Sequence, residues 1–232
     1  MSTEWFDGLR EELLAGNPFR EAPYFKAFAA GTLSREQAWG HVSQWYFLIC
    51  WFPRMFSGIH SRCEELEVRK DCARHLLVED LGYFRGAIGG TPDHVELYKR
   101  IGDDMGYPRE AWERVIPMPE MRDIVLYFKR LAHEIPWSAS LCTTAFIEAE
   151  VVEVSRTVGH GLAAHYGCRA DWGAMNYLVH EEVEREEAGE TEGAILKHIT
   201  TAEERGAAEQ SMREMHRLLD RYARGLARDY LT

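Results

Sequence analysis

His180, Glu184 and Glu187 stand at i, i+4 and i+7. On an α-helix these positions share one stripe. An imidazole and two carboxylates on one stripe can reach one or two metal ions, and that donor mix suits iron or manganese better than softer metals. The spacing also has a plainer reading, because glutamates on an acidic helix commonly form a solvated face. A metal site needs further donors from other helices. Glu148 lies in the apolar run Thr144-Ala145-Phe146-Ile147-Glu148-Ala149, and a carboxylate buried there needs a partner or a cation. Glu150 is about 200° further round the helix, so only one of the two is expected to face the core. Glu79 closes the apolar patch Leu76-Leu77-Val78, and His94 falls in the first turn of a helix. Read alone, Glu79 also fits an exposed acid, and His94 a capping or surface histidine.

The elements that must position these groups read as helices. Alternating strand patterns with Asn-Gly turns are missing from the sequence. Ser34-Arg35-Glu36-Gln37 is a capping box that opens a helix from about Arg35 to about Cys63, with Pro53 inside it as an expected kink. A second helix is expected over roughly Glu65 to Ile88, stopped by Gly89-Gly90. Thr91-Pro92 offers an N-cap and an N1 proline for the next, which runs to about Met105 before Gly106 and Pro108. A short helix is expected between Pro108 and Met118, and another from Pro119 to before Pro136. Trp137 to His165 reads as one long helix. Asp171 can cap a helix reaching at least Glu190, and Ala202 to Tyr230 forms the last. The acidic stretch Glu181 to Glu192 keeps helical spacing with Val179 and Val183, which argues against a disordered charge run.

Composition bounds the function. The chain has 232 residues, 46% of them hydrophobic, which suits one domain over residues 1–232 with a sizeable core. Its formal net charge of −11 argues against nucleic acid and against anionic membranes, both of which need clustered Lys and Arg. The longest apolar run, Trp45 to Phe52, is eight residues, whereas a membrane span takes about 20. Cys50, Cys63, Cys72, Cys142 and Cys168 form no C-x-x-C pair. They read as reduced core thiols of a cytoplasmic protein. The N-terminus shows no basic start followed by an apolar run, so no signal peptide is expected.

Taken together, these positions resemble the haem-oxygenase-like diiron oxidases. That branch belongs to a superfamily that also holds thiaminase II, pyrroloquinoline quinone synthase and the chlamydial protein associating with death domains. Asn17-Pro18-Phe19 followed by Gly31-Thr32-Leu33-Ser34 and Glu36-Gln37 resembles the family's opening pattern. Gln44-Trp45-Tyr46, Phe52-Pro53-Arg54 and Ile59-His60-Ser61-Arg62 resemble its second helix. Leu76 to Gly82 is similar to the segment carrying the first metal-binding Glu, on Glu79. His94 resembles the second ligand and Glu148 the third, with the match continuing through Glu153 to Gly167. Tyr177 to Ala188 resembles the final motif, with ligands on His180, Glu184 and Glu187. The sequence departs from the pattern at several points. His94 follows Glu79 by 15 positions, and the residues between include Gly86, Gly89 and Gly90. Glu184 replaces Asp, Glu187 replaces His, and Val158 stands where many relatives carry Lys.

The resemblance implies an all-α haem-oxygenase-like bundle of about seven to eight helices. Its implied ligand set of two His and four Glu matches that of ferritin-like diiron bundles. It also implies two iron ions, with manganese possible, and O₂ as co-substrate. The reaction implied is oxidation of an amino acid, amine or fatty acid in a biosynthetic pathway, with an external electron donor possible and a homodimer expected. Trp45, Tyr46 and Tyr177 are candidates for the pocket wall, though each also fits ordinary core packing. Two alternatives stay open: a metal-independent enzyme of the same fold, with Cys142 the suspected nucleophile, and a non-catalytic interaction protein. A haem oxygenase needs a proximal His near the N-terminus, and the first His here is His41.

Overall fold

The protein was analysed as a computed structural model, which describes residues 4–84, 86–187 and 196–231, with 182–187 described by backbone alone. Helices α1 (Glu4–Ala15), α2 (Pro18–Glu21) and α3 (Pro23–Ala29) come first. Helix α4 (Arg35–Arg62) follows, opened by the expected capping box, in which the Ser34 hydroxyl accepts from Gln37 N–H and the Gln37 side chain accepts from Ser34 N–H. Pro53 lies inside α4 without ending it. Helix α4 is the spine of the bundle, packing against α5 (Leu66–Leu81), α6 (His94–Asp104) and α7 (Pro119–His133). On the other side, α8 (Trp137–Val154) packs against α11 (Ala202–Tyr230), whose capping box is Thr201 and Glu204. Helices α9 (His160–His165) and α10 (Met175–Glu187) close the bundle. Phe19, Phe25, Trp45, Phe56, Phe146 and Tyr222 are buried in one continuous core. Each such side chain contributes about 1.5–3 kcal/mol on burial.

The structure differs from the sequence expectations in four places. Helix α5 stops at Leu81, not Ile88. Gly82 adopts φ +80°, and a Cβ there would lie 2.2 Å from the Thr91 carbonyl oxygen, so the chain turns out of the helix where only glycine fits. The residues after it form an antiparallel ribbon, β1 (Tyr83–Phe84) with β2 (Ala87–Ile88), pairing Tyr83 with Ile88 and Phe84 with Ala87. Second, Thr91-Pro92 does not cap α6. Asp93 does, accepting from Glu96 N–H at 2.8 Å, because its carboxylate reaches the N3 amide while the Thr91 hydroxyl donates to the Pro92 carbonyl. Third, Trp137 to His165 is interrupted by a π-turn over Ser155–Gly159 between α8 and α9. Fourth, α10 begins at Met175, after a turn through Arg169–Ala174 that Asp104 ties down by accepting from Arg169 and Gly173 N–H. The segment from Pro108 to Met118 carries a single 3₁₀ stretch, Arg109–Arg114.

Candidate metal centre

Three helices each bring one donor to the same point. Glu79 comes from the last turn of α5, His94 from the first turn of α6 and His180 from the middle of α10. One ligand atom from each lies within 4.8 Å of the other two. Glu79 and His94 side chains are 10% and 6% exposed, and His94 Nδ1–H donates to Glu79 Oε2 at 2.6 Å. The His94 and His180 rings meet edge to face at 4.8 Å. Burial pushes the Glu79 carboxyl up, but His94, His180 and His75 together outweigh it and hold Glu79 below its ordinary value. Burial, with His94 adding to it, depresses His180 to about 4 against the opposing pull of Glu79 and the Asn176 carbonyl. At neutral pH the cluster therefore offers a carboxylate and a neutral imidazole, the forms a metal takes up. His180 Nδ1–H donates to the Asn176 carbonyl at 2.7 Å. That bond fixes the tautomer and leaves Nε2 as the coordinating lone pair. The donor set fits a hard or borderline cation such as iron or manganese.

The cluster opens onto a cavity of about 580 Å³, within the range of small-molecule sites. Its walls are mainly apolar, including Leu48, Phe52, Ile147 and Val152, and Tyr83 and Ile88 of the ribbon form part of its rim. Glu148 lines the same cavity from α8. Of the two candidates Glu148 is half-buried, and it is Glu150, on the opposite side of α8, that is enclosed in the core. Helix α8 is covered on both sides, so the opposite direction is also interior. Glu150 is fully buried there, accepting from Asn17 Nδ2 and from His216 Nδ1–H. Burial raises its pKa despite both partners. The side chains of Glu184 and Glu187 lie outside the described residues, although the backbone of α10 is helical through both.

Trp45 and Tyr177 line the cavity. Tyr46 does not, which corrects the expectation for it. One residue beyond Trp45 it is rotated about 100°, and its ring packs on Trp112 and Tyr98 with Lys99 over its face. The Tyr177 hydroxyl bonds to Tyr98 Oη at 2.7 Å and to His41 Nε2 at 3.1 Å, while His41 Nδ1 meets Tyr222 Oη at 2.9 Å. Both His41 nitrogens are thus engaged by tyrosines, which speaks against a proximal haem ligand. Cys142 is buried, does not line the cavity, and has its thiol pushed up to about 12 by desolvation. Burial there disfavours the thiolate that nucleophilic chemistry needs. All five cysteines are free.

His75 and Asp71 also line the cavity and were missed. Their signal was present, since Asp71, His75 and Glu79 stand at i, i+4 and i+8 on one face of α5. His75 stacks flat on Phe56 with centroids 4.4 Å apart. Ser155 and Asn176, two further wall residues, carry no motif that spacing alone would reveal.

Comparison with known proteins agrees with this architecture. A solved protein from Shewanella denitrificans with a haem-oxygenase-like fold superimposes with a TM-score of 0.74 at 13% identity, covering 99% of this chain and 93% of that one. The fold here is accordingly haem-oxygenase-like. The 4-aminobenzoate synthase of Chlamydia muridarum is 26% identical over 195 residues, spanning 84% of this chain and 79% of the relative. The protein of that name in Nitrosomonas europaea is 20% identical, spanning 89% and 84%. The pyrroloquinoline-quinone synthase of Cronobacter sakazakii is 30% identical over 125 residues, spanning 53% and 47%. Residues 20–231, which include the helices bearing Glu79, His94, Glu148 and His180, match one family model, and the chain belongs to the TENA/THI-4/PQQC family.

Proposed function

We propose that this protein is a haem-oxygenase-like diiron oxidase that uses O₂ to oxidise a small biosynthetic substrate. The observation that carries the reading is the convergence of Glu79, His94 and His180 from three helices, with ligand atoms within 4.8 Å, on the wall of a mainly apolar cavity. The names of the relatives, two of them 4-aminobenzoate synthases and one a quinone-cofactor synthase, support a biosynthetic enzyme.

Two iron ions, with manganese as a substitute, would supply O₂ activation when bound. Glu148 would be the fourth donor, from the facing helix. Glu184 and Glu187 share the helical stripe of His180 by spacing and would complete a set of six. The Asn176 carbonyl orients His180 by holding its Nδ1–H. The apolar walls keep bulk water from the reacting atoms and strengthen every polar contact inside. The substrate class remains an amino acid, another amine or a fatty acid. An external donor supplies any electrons the substrate does not, and the functional unit is a cytoplasmic homodimer.

Anaerobic reconstitution with Fe(II), metal counting and then O₂ uptake at an electrode test this reading. Two irons per chain and O₂ consumption that requires them are expected. Less than one iron per chain with no O₂ consumption would overturn it. A Glu148→Ala variant that binds iron unchanged would remove Glu148 from the ligand set.

A further inference from the structure

Several buried hydroxyls on the helices of this protein bond back to their own helix. Ser43 donates to Gly40, Thr143 to Ala139 and Thr144 to Leu141, each reaching a carbonyl three or four residues earlier. Ser155 does not. It is fully buried, and its Oγ has no hydrogen-bond partner. It opens the π-turn, where the wider winding displaces the carbonyls a serine would ordinarily reach. Asn176 is 1% exposed, and its Nδ2 likewise has no partner. The π-turn and α10 are in close contact, since a Cβ on Gly159 would lie 2.8 Å from that of Tyr177. Ser155 and Asn176 both line the metal-site cavity. Leaving two such groups unmade costs stability, and native proteins keep few of them.

We propose that Ser155 and Asn176 form a polar subsite that receives an uncharged oxygen, a carbonyl or hydroxyl, of the substrate. This deepens the oxidase reading, on which it rests for the location of the chemistry. The hydroxyl and the amide are both neutral donors. The cavity's guanidinium groups are already paired with carboxylates, Arg10 with Asp7 at 3.2 Å and Arg74 with the wall residue Asp71 at 3.1 Å. A desolvated carboxylate held only by two neutral donors would be badly compensated. A neutral acceptor meets no such penalty. Asn176 has a double role in this arrangement. Its carbonyl aims the metal-binding His180, and its amide aims the substrate relative to that ligand.

Three probes of similar size separate the possibilities: acetophenone, a neutral acceptor; benzoate, a charged one; and ethylbenzene, which has none. Their affinities for the full-length protein are measured by ligand-observed NMR, with wild type, Ser155→Ala and Asn176→Leu, alongside melting temperature and iron stoichiometry. Wild type is expected to bind acetophenone more tightly than benzoate. Each variant should lose roughly three- to tenfold in acetophenone affinity, the loss of one neutral hydrogen bond, with ethylbenzene affinity unchanged. Both variants should melt at or above wild type, because each removes an unmade buried donor. Unchanged acetophenone affinity in both variants overturns the proposal, as does benzoate binding as tightly as acetophenone to wild type, or no acetophenone binding at all. Failure of the oxidase reading shows separately, as absent iron uptake by wild type.

Discussion

Glu79 and His180 carry different parts of the metal site, and their substitutions should separate. Glu79→Gln keeps the size and the contact with His94 but removes the charge that a cation needs. His180→Ala removes a donor already aimed by Asn176. Each is expected to weaken Fe(II) binding by roughly 100-fold or more, the upper end of what even a lost supporting contact costs, as read by competition with a chelator. His41 gives a pH dependence of its own. Burial depresses it from 6.5 to about 3, so between those values the unfolded chain binds a proton that the folded one refuses. Its contribution is fully present above pH 6.5 and is lost as pH falls toward 3, at about 1.4 kcal/mol per pH unit. Urea unfolding at several pH values should show that slope in wild type and a shallower one, by one proton, in His41→Gln. At this scale spacing marked His180 as a candidate donor, whereas Glu79 and His94 were singled out only by the family resemblance, because alone they also fit an exposed acid and a surface histidine. The sequence was opaque at Glu150, because a burial on the far side of α8 is set by α2 and α11 and not by α8 itself.

The α5 to α6 connection decides whether two of the donors meet. His94 follows Glu79 by 15 positions, and the β1–β2 ribbon within that stretch folds the chain back so that the two side chains bond at 2.6 Å. Gly82 is the pivot. Gly82→Ala would combine a positive-φ penalty of about 1–3 kcal/mol with a clash against Thr91 and Pro92. The expected outcome is a lower melting temperature together with weaker Fe(II) binding, whereas a loss of stability alone would show that the ribbon does not set the site. Helix type and most boundaries were readable from caps and apolar periodicity, as the α4 and α11 capping boxes illustrate. The ribbon was not, because its strands are two residues long and carry no alternation to detect. The π-turn was hidden for a different reason, since Ser155 to Gly159 contains no proline and only one apolar side chain, Val158, so nothing in it marks a change of winding.

A cation bound only by the folded chain stabilises all of it. At a Fe(II) or Mn(II) concentration 100 times the dissociation constant the gain is about 2.7 kcal/mol, or roughly 5–10 °C in melting temperature for a chain of this size. Calorimetry with and without Mn(II) under nitrogen checks this free of O₂ chemistry, and an unchanged melting temperature would count against a structural coupling between site and bundle. Among the described residues no helix is long and apolar enough to cross a membrane, in line with the short apolar runs of the sequence. The all-helical architecture was legible as a whole because 46% hydrophobic residues fall at helical intervals nearly everywhere.

The wide turn at Ser155–Gly159 has a consequence for how this protein tolerates changes in length. A π-turn carries one residue more than the α-turn it replaces, so everything beyond it is advanced by about 100° of winding. Gly161, whose missing Cβ admits the Phe28 ring at 2.9 Å, sits on that advanced arc. Excising a single residue from the turn would give a straighter, more regular rod and yet swing Gly161 off the Phe28 ring it faces. Here the irregular winding is the phase-setter between two halves of the bundle, and tidying it would uncouple them.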